Sequence, residues 1–512
     1  MSSLIRGRYV ICKVVDQNKA IVVEDGAVFQ RDGIVQEVGK FDELSKKHDF
    51  DEVIGSADHV VTPGFVNGHH HVGLTPFQLG SPDHALELWF ASRLGARDVD
   101  HYLDTLYSAF EMIESGITTV QHLRGFIPGG PKQIGDASVK IIKAYEDIGM
   151  RVSYSYFIRD QSRMTYEADD EFIKRLPPEL GATMREFFKL HTISLEDSFG
   201  IFKGLFSRYA GSPRVRIQLG PANLHWCSDR ALGMLRECAE EFQVPMHMHI
   251  LETVYQKEYA RRRTGTTAVR YLHQCGLLGP AMTLGHGVWL NEEDIDLAAE
   301  TGTKICHNCS SNLRLRSGVA PLNAFEKRGL CVCIGLDEAG INDDRDMLQE
   351  MRMVLRQHRV PGMDEEEVPT SSQVFRMATS DGAKTTPFAA EIGTLEPGKA
   401  ADLVVMNWGQ ICYPYLDAST PVVDAVLHRA RMSGVETVLV AGEPIYRDGR
   451  FTRVNKKEAL EELAASLRKP LEASELARHE LGRQIFPHVR QFYAGYLERQ
   501  VFEPFYNVNS RR

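Results

Sequence analysis

Short apolar runs recur through the middle of this chain, at 60–66, 117–121, 152–158, 215–219, 245–250, 282–285, 303–306 and 331–336. Stretches with helical spacing of apolar residues lie between them, among them 99–115, 134–148, 229–242, 254–275 and 292–300. Continuous apolar runs of this length read as strands buried on both faces, as in a parallel sheet. A strand followed by a helix, eight times over, predicts a closed (β/α)8 TIM barrel. The glycine fingerprint of a dinucleotide-binding open sheet is absent after the first run.

The pattern changes at both ends. Short β-branched runs at 9–15, 20–29 and 33–38 are split by Asp25-Gly26 and Asp32-Gly33 turn signals. The same texture returns at 401–406, 435–441 and 444–446. The organisation expected is one small β-sandwich domain built from 1–60 and 390–452, with the barrel, 61–389, inserted. Residues 453–512 form a Lys/Glu-rich helical tail. Its Leu460, Leu463, Leu467 and Leu471 suit packing on the barrel or on a second copy in a homodimer or higher homo-oligomer.

Composition narrows the function. An apolar fraction of 43% and a charged fraction of 25% are those of a soluble globular protein. The 59 basic and 69 acidic residues give a net charge of −10, which argues against a nucleic-acid backbone as partner. No run approaches the roughly 18 apolar residues of a membrane span. The start lacks the apolar core of a secretory signal, and nine cysteines lie scattered without a framework, so a cytoplasmic location is expected.

In such barrels the chemistry sits at the C-terminal strand ends. The first run leads into Asn67-Gly68-His69-His70-His71. Residues two apart share a face of a strand, so His69 and His71 can meet at one point while His70 points away. The fifth run holds His247 and His249 on one face. His249, nearer the strand end, is the metal-ligand candidate and His247 a packed neighbour. Glu252 follows, where strand gives way to loop. The sixth run ends in His286 between two glycines, and the eighth in Asp337. Imidazoles with a carboxylate suit one divalent transition metal, zinc first and iron as the alternative. In this reading the metal activates a water, Asp337 takes its proton, Glu252 donates one to the leaving side, and His286 polarises the reacting oxygen.

These residues resemble the amidohydrolase superfamily, specifically its triazine hydrolase / S-adenosylhomocysteine deaminase group. The resemblance spans nearly the whole chain. It rests on Pro63-Gly64-Phe65-Val66-Asn67-Gly68-His69-His70-His71, on His249-Ile250-Leu251-Glu252-Thr253, on His286 and Asp337, and on the 392–403 segment that returns the chain to the β-domain. The resemblance implies a mononuclear site of His69, His71, His249 and Asp337, because no lysine ends the fourth run. It implies hydrolytic deamination of an amino-substituted N-heteroaromatic ring of purine, pterin, pyrimidine or triazine type. The alternatives are amide, urea or carbamate cleavage or dechlorination at the same site and, more remotely, a non-catalytic scaffold.

The segment His307-Asn308-Cys309-Ser310-Ser311-Asn312 resembles one that lines the substrate pocket, which makes Asn308, Ser311 and Asn312 substrate-binding candidates. His122, Arg159 and Trp89 join them by their positions at the barrel mouth. Three stretches depart from the resemblance, all on the substrate side: 74–80, 312–318 and 338–343. The last has Glu338 where the group carries glycine. Cys306 and Cys309 read as core residues.

Overall fold

The structure, a computed structural model, describes residues 2–497. The N-terminal strands β1 (Ser2–Asp16), β2 (Lys19–Arg31), β3 (Ile34–Lys40) and β4 (Glu52–Pro63) precede the barrel. The barrel strands are β5 (Phe65–His70), β6 (Ile117–Arg124), β7 (Arg151–Ile158), β8 (Val215–Ile217), β9 (Gly220–Pro221), β10 (Met246–Ile250), β11 (Met282–His286), β12 (Lys304–His307) and β13 (Val332–Ile334). The chain then returns to the outer sheet as β14 (Leu403–Asn407), β15 (Val435–Val440), β16 (Glu443–Arg447) and β17 (Arg450–Phe451).

The barrel forms from two parallel arcs, β5-β6-β7-β8 and β10-β11-β12-β13. The short β8 and β9 together make the fourth strand. Leu219 bridges to Met246 and Asn223 to His249, which joins the arcs on one side; His70 bridges to Asp337 on the other. The closing bond runs from Asp337 N to His69 O at 2.8 Å. Ring closure therefore sets the first and eighth strand ends, and the side chains they carry, beside each other. The eight-stranded outer sheet has the order β17-β16-β15-β14-β4-β1-β2-β3. It folds over its own core of Ile5, Val10, Val28, Val61, Leu403 and Leu439. Its β3 edge is tied back ahead of β14 by Val35 N to Lys399 O at 2.8 Å and Gly398 N to Val35 O at 2.9 Å. That bonding covers an edge that would otherwise be open to pairing with another chain.

Two elements differ from the sequence pattern. The first apolar run, 60–66, is two strands. Val60 and Val61 pair with Met406 and Val405 in the outer sheet, and the barrel strand starts at Phe65. The break is Gly64, whose N–H bonds Asp402 O at 2.9 Å. Any side chain there would lie 2.2 Å from Thr118 Oγ1. Both pieces are buried, so apolarity alone does not show the join. The 254–275 stretch is also two helices, Val254–Thr264 and Ala268–Gln274. Gly265 ends the first at φ +70, and the Thr267 hydroxyl caps the second at Arg270 N, 3.1 Å away.

The tail supplies helices Lys456–Leu467 and Ala473–Ala494; residues 498–512 lie outside the described residues. Leu463 packs with Leu74 and Leu103. Leu481, Ile485 and Val489 pack with Ala91, Phe172 and Met184. The tail thus backs the helix Leu86–Ser92, which carries Trp89. No helix among the described residues is long and apolar enough to cross a membrane.

Candidate metal centre and substrate cleft

Three strand ends bring four donor side chains to one point. His69 Nε2 lies 2.9 Å from His71 Nε2 and 3.0 Å from His249 Nε2, and the last two are 3.2 Å apart. Asp337 Oδ1 is 3.0 Å from His71 Nε2 and 3.6 Å from His69 Nε2. All four side chains are buried. Room for His69 comes from glycine on a neighbouring strand end: a side chain on Gly335 would sit 2.5 Å from His69 Cβ.

Tautomers show what this point can hold. His71 Nδ1 faces Leu123 O at 2.5 Å, and His249 Nδ1 faces Ala222 O at 2.9 Å. A carbonyl only accepts, so both Nδ1 atoms carry the proton and both Nε2 atoms present lone pairs. Two imidazole nitrogens and a carboxylate oxygen converging at about 3 Å are a donor set that suits a cation. The electrostatics agree. Burial lowers His71, but the hydrogen bond and charge of Asp337 outweigh it and raise its pKa. Burial raises Asp337, but His71 and His286 outweigh that and hold it well below the carboxylate range. The spot calls for positive charge.

His247 and Gln121 stand behind His69. His247 Nε2 is 2.9 Å from His69 Nδ1, and His247 Nδ1 is 2.6 Å from the Gln121 amide. The Gln121 NH2 donates to His247 Nδ1, so His247 Nε2 carries the proton and donates to His69 Nδ1. His70 lies on the opposite face of the strand, 3.2 Å from Ser108 Oγ.

Glu252 and His286 complete the floor. His286 Nε2 is 3.7 Å from Glu252 Oε2 and 3.8 Å from Asp337 Oδ2. Its Nδ1 donates to Asn312 Oδ1 at 2.8 Å, so Nε2 faces the two acids as a lone pair. The Glu252 carboxyl is pushed well above its ordinary range, first by burial and then by Asp337 and Glu87. His286 and Asp337 have φ of +71 and +55, the left-handed region. Such strain of about 1–3 kcal/mol each persists where the surroundings impose it, and functional sites are where it collects.

Above this floor lies a cleft of about 100 Å³, a scale that suits one small ring system. Trp89 and Phe90 of helix Leu86–Ser92 line it together with Phe126, Phe157 and Trp226. Phe90 and Phe126 set their rings edge-on to Trp226, at centroid distances of 5.2 and 5.9 Å. Arg93, Arg124 and Glu338 lie at its rim.

The expected substrate residues divide. Trp89 lines the cleft. Ser311, Asn312 and Asn308 instead touch Asp337 and His286. Ser311 Oγ donates to Asp337 Oδ2 at 2.6 Å, and Asn308 Nδ2 lies 3.2 Å from His286 Nε2. The helix that starts at Cys309 turns them towards the floor. His122 points out of the barrel to Tyr145 OH at 2.8 Å; its neighbour Gln121 faces in, as the two-residue period requires. Arg159 sits behind the wall with its guanidinium 4.2 Å from the Phe126 ring centroid, away from the cleft lining. Sequence reasoning missed Phe126, Phe157, Trp226, Arg93 and the Gln121 support. Of these, Phe157 and Gln121 had a signal, as residues near the ends of barrel strands.

Comparison with known proteins agrees with this geometry. Residues 60–445 match the amidohydrolase family. The chain is 26% identical over 469 residues to a 5-methylthioadenosine/S-adenosylhomocysteine deaminase of Thermodesulfovibrio yellowstonii, covering 90% of this chain and 96% of that one. It is 29% identical over 418 residues to a 5'-deoxyadenosine deaminase of Methanothermobacter thermautotrophicus, covering 81% and 88%. Among solved structures, an adenosine deaminase from Xanthomonas campestris with bound zinc superposes with a TM-score of 0.77 at 22% identity, covering 90% of this chain and 97% of that one. A match across the whole barrel and back into the outer sheet, over strand ends that converge on one cation-shaped point, makes this chain a member of the amidohydrolase family.

Proposed function

We propose that the protein is a metal-dependent hydrolase that removes an amino group, as ammonia, from a small N-heteroaromatic ring. The observation that carries this reading is the placement of a buried Glu252, its carboxyl pushed above the ordinary range by burial, across from Asp337 and His286 on the floor of an aromatic-lined cleft. Flat aromatic walls suit a planar ring. The two relatives named above are deaminases of adenosine-type compounds.

His69, His71, His249 and Asp337 would hold one divalent transition metal, for which we propose zinc, with iron as the alternative. Bound there, the cation supplies the Lewis acidity that brings proton loss from a water towards neutral pH. Asp337 Oδ2, fixed by the Ser311 hydroxyl, takes a proton from the attacking water. Glu252 donates its proton to the ring nitrogen next to the carbon under attack, and His286 Nε2 orients the incoming oxygen. Asp337 then passes its proton to the amino group, the C–N bond breaks and ammonia leaves, while the hydroxyl proton of the adduct returns to the Glu252 carboxylate as the ring carbonyl forms. Water and ring amine are consumed, and ammonia and ring carbonyl are formed.

All nine cysteines are free, which supports a reducing, cytoplasmic setting. The homodimer expected from the tail belongs to the same proposal. An ammonia-release screen of zinc-loaded protein over aminated purines, pterins, pyrimidines and triazines tests the function. Ammonia from at least one ring supports it, and release of none while an amide or carbamate is cleaved overturns it.

A further inference from the structure

Glu338 follows the base-bearing Asp337 and lines the cleft. Its side chain is held in an unusual way. Oε1 accepts a hydrogen bond from Arg93 Nη1 at 2.7 Å. Arg93 in turn lies over the Trp89 ring, 4.5 Å from its centroid, so the pair is braced against the aromatic wall. The residue is only 9% exposed, and Oε2 is buried with no hydrogen-bond partner among the described residues. An acceptor oxygen shielded from water and left unpaired is uncommon in a folded protein. Here it belongs to a residue that lines the cleft.

We propose that Glu338 Oε2 determines specificity by accepting a hydrogen bond from a second N–H of the substrate. This rests on the ring-amine reading and deepens it: the substrate is a ring that carries a donor N–H in addition to the amine that leaves. Diamino-substituted rings and rings with an adjacent ring N–H belong to this class. Arg93 already balances the Glu338 charge, so the pair suits a neutral ring. The other cation at the rim, Arg124, donates to His71 O at 3.2 Å and forms no ion pair with Glu338. A site built to pair with a donor discriminates strongly against an analogue that lacks it, because the buried acceptor is then left without a partner.

Binding to full-length, zinc-loaded protein in the Glu252→Gln background, where no ring is consumed, tests the inference apart from activity. Dissociation constants are measured by calorimetry for matched pairs: adenine with 2,6-diaminopurine, 4-aminopyrimidine with 2,4-diaminopyrimidine, and amino- with diaminotriazine. The diamino member should bind at least ~10-fold tighter in one pair. Glu338→Gly should bring that ratio close to one. Glu338→Gln should lose or reverse the preference, since an amide oxygen kept on Arg93 turns an NH2 towards the cleft. Equal affinities in every pair, no binding by any diamino ring, or an unchanged ratio in both variants overturns the proposal. Ammonia release by the wild-type protein remains the separate test of the deaminase reading.

Discussion

Each metal-site imidazole owes its role to what its other nitrogen touches. For His69 that partner is His247, aligned by Gln121. Gln121→Leu should therefore weaken metal binding by roughly 10–100-fold, read by competition with a chelator; unchanged affinity would remove Gln121 from the site. In the proposed mechanism Glu252 contributes a proton and not a ligand atom. Glu252→Gln should lower turnover by at least ~100-fold while metal content stays near one per chain, and metal loss in that variant would refute the assignment. Glu87 gives a pH test away from the ligands. It accepts hydrogen bonds from Thr253 and from Tyr166 OH, the latter at 3.0 Å. Burial raises its carboxyl above the ordinary 4.5. The folded state thus keeps a proton that the unfolded chain loses, so this group's contribution to stability is complete below 4.5 and falls as pH rises towards the folded value. Glu87→Gln should flatten that fall in a series of unfolding midpoints against pH, and an unaltered slope would contradict it. At this scale the sequence was legible wherever a two-residue period applied. It separated His69 and His71 from His70, and the same period, not applied to His122, would have turned that residue away from the cleft. Asn308, Ser311 and Asn312 fall where a strand gives way to a helix, and no periodicity says which way they turn.

Among the elements, the tail helix Ala473–Ala494 matters most to the cleft, because it backs the helix that carries Trp89 and Glu87. Ile485 is fully buried in that contact. Ile485→Ala should cost about 2–4 kcal/mol, measured by denaturant unfolding. It should also raise KM more than it lowers kcat, since Trp89 loses its backing while the floor is untouched. A variant with wild-type KM would leave the tail a purely stabilising role. The helical spacing of the tail's leucines was visible in the sequence, but its partner was not: Ala91 and Met184 are far away along the chain. The two strands hidden in 60–66 were concealed for a related reason. Residues on both sides of Gly64 are buried, one piece in each sheet, so the apolar run is continuous where the backbone is not.

Across the whole molecule, barrel closure does the positioning. The His70–Asp337 bridge sets the first strand end against the eighth, and the β10–β11 pairing sets His249 beside His286. The eight-fold alternation and the strand-end histidines made this architecture readable from sequence. The cleft walls were not, because Phe126 and Trp226 come from loops whose paths depend on packing. The most direct test of the whole scheme is to incubate zinc-loaded protein in heavy-oxygen water with a ring amine from the ammonia screen, and to follow ammonia and the label in the product together. Hydrolytic deamination predicts one ammonia released per ring consumed, with solvent oxygen in the new ring carbonyl. Ring consumed without ammonia, or ammonia released with no label in the ring, would contradict it.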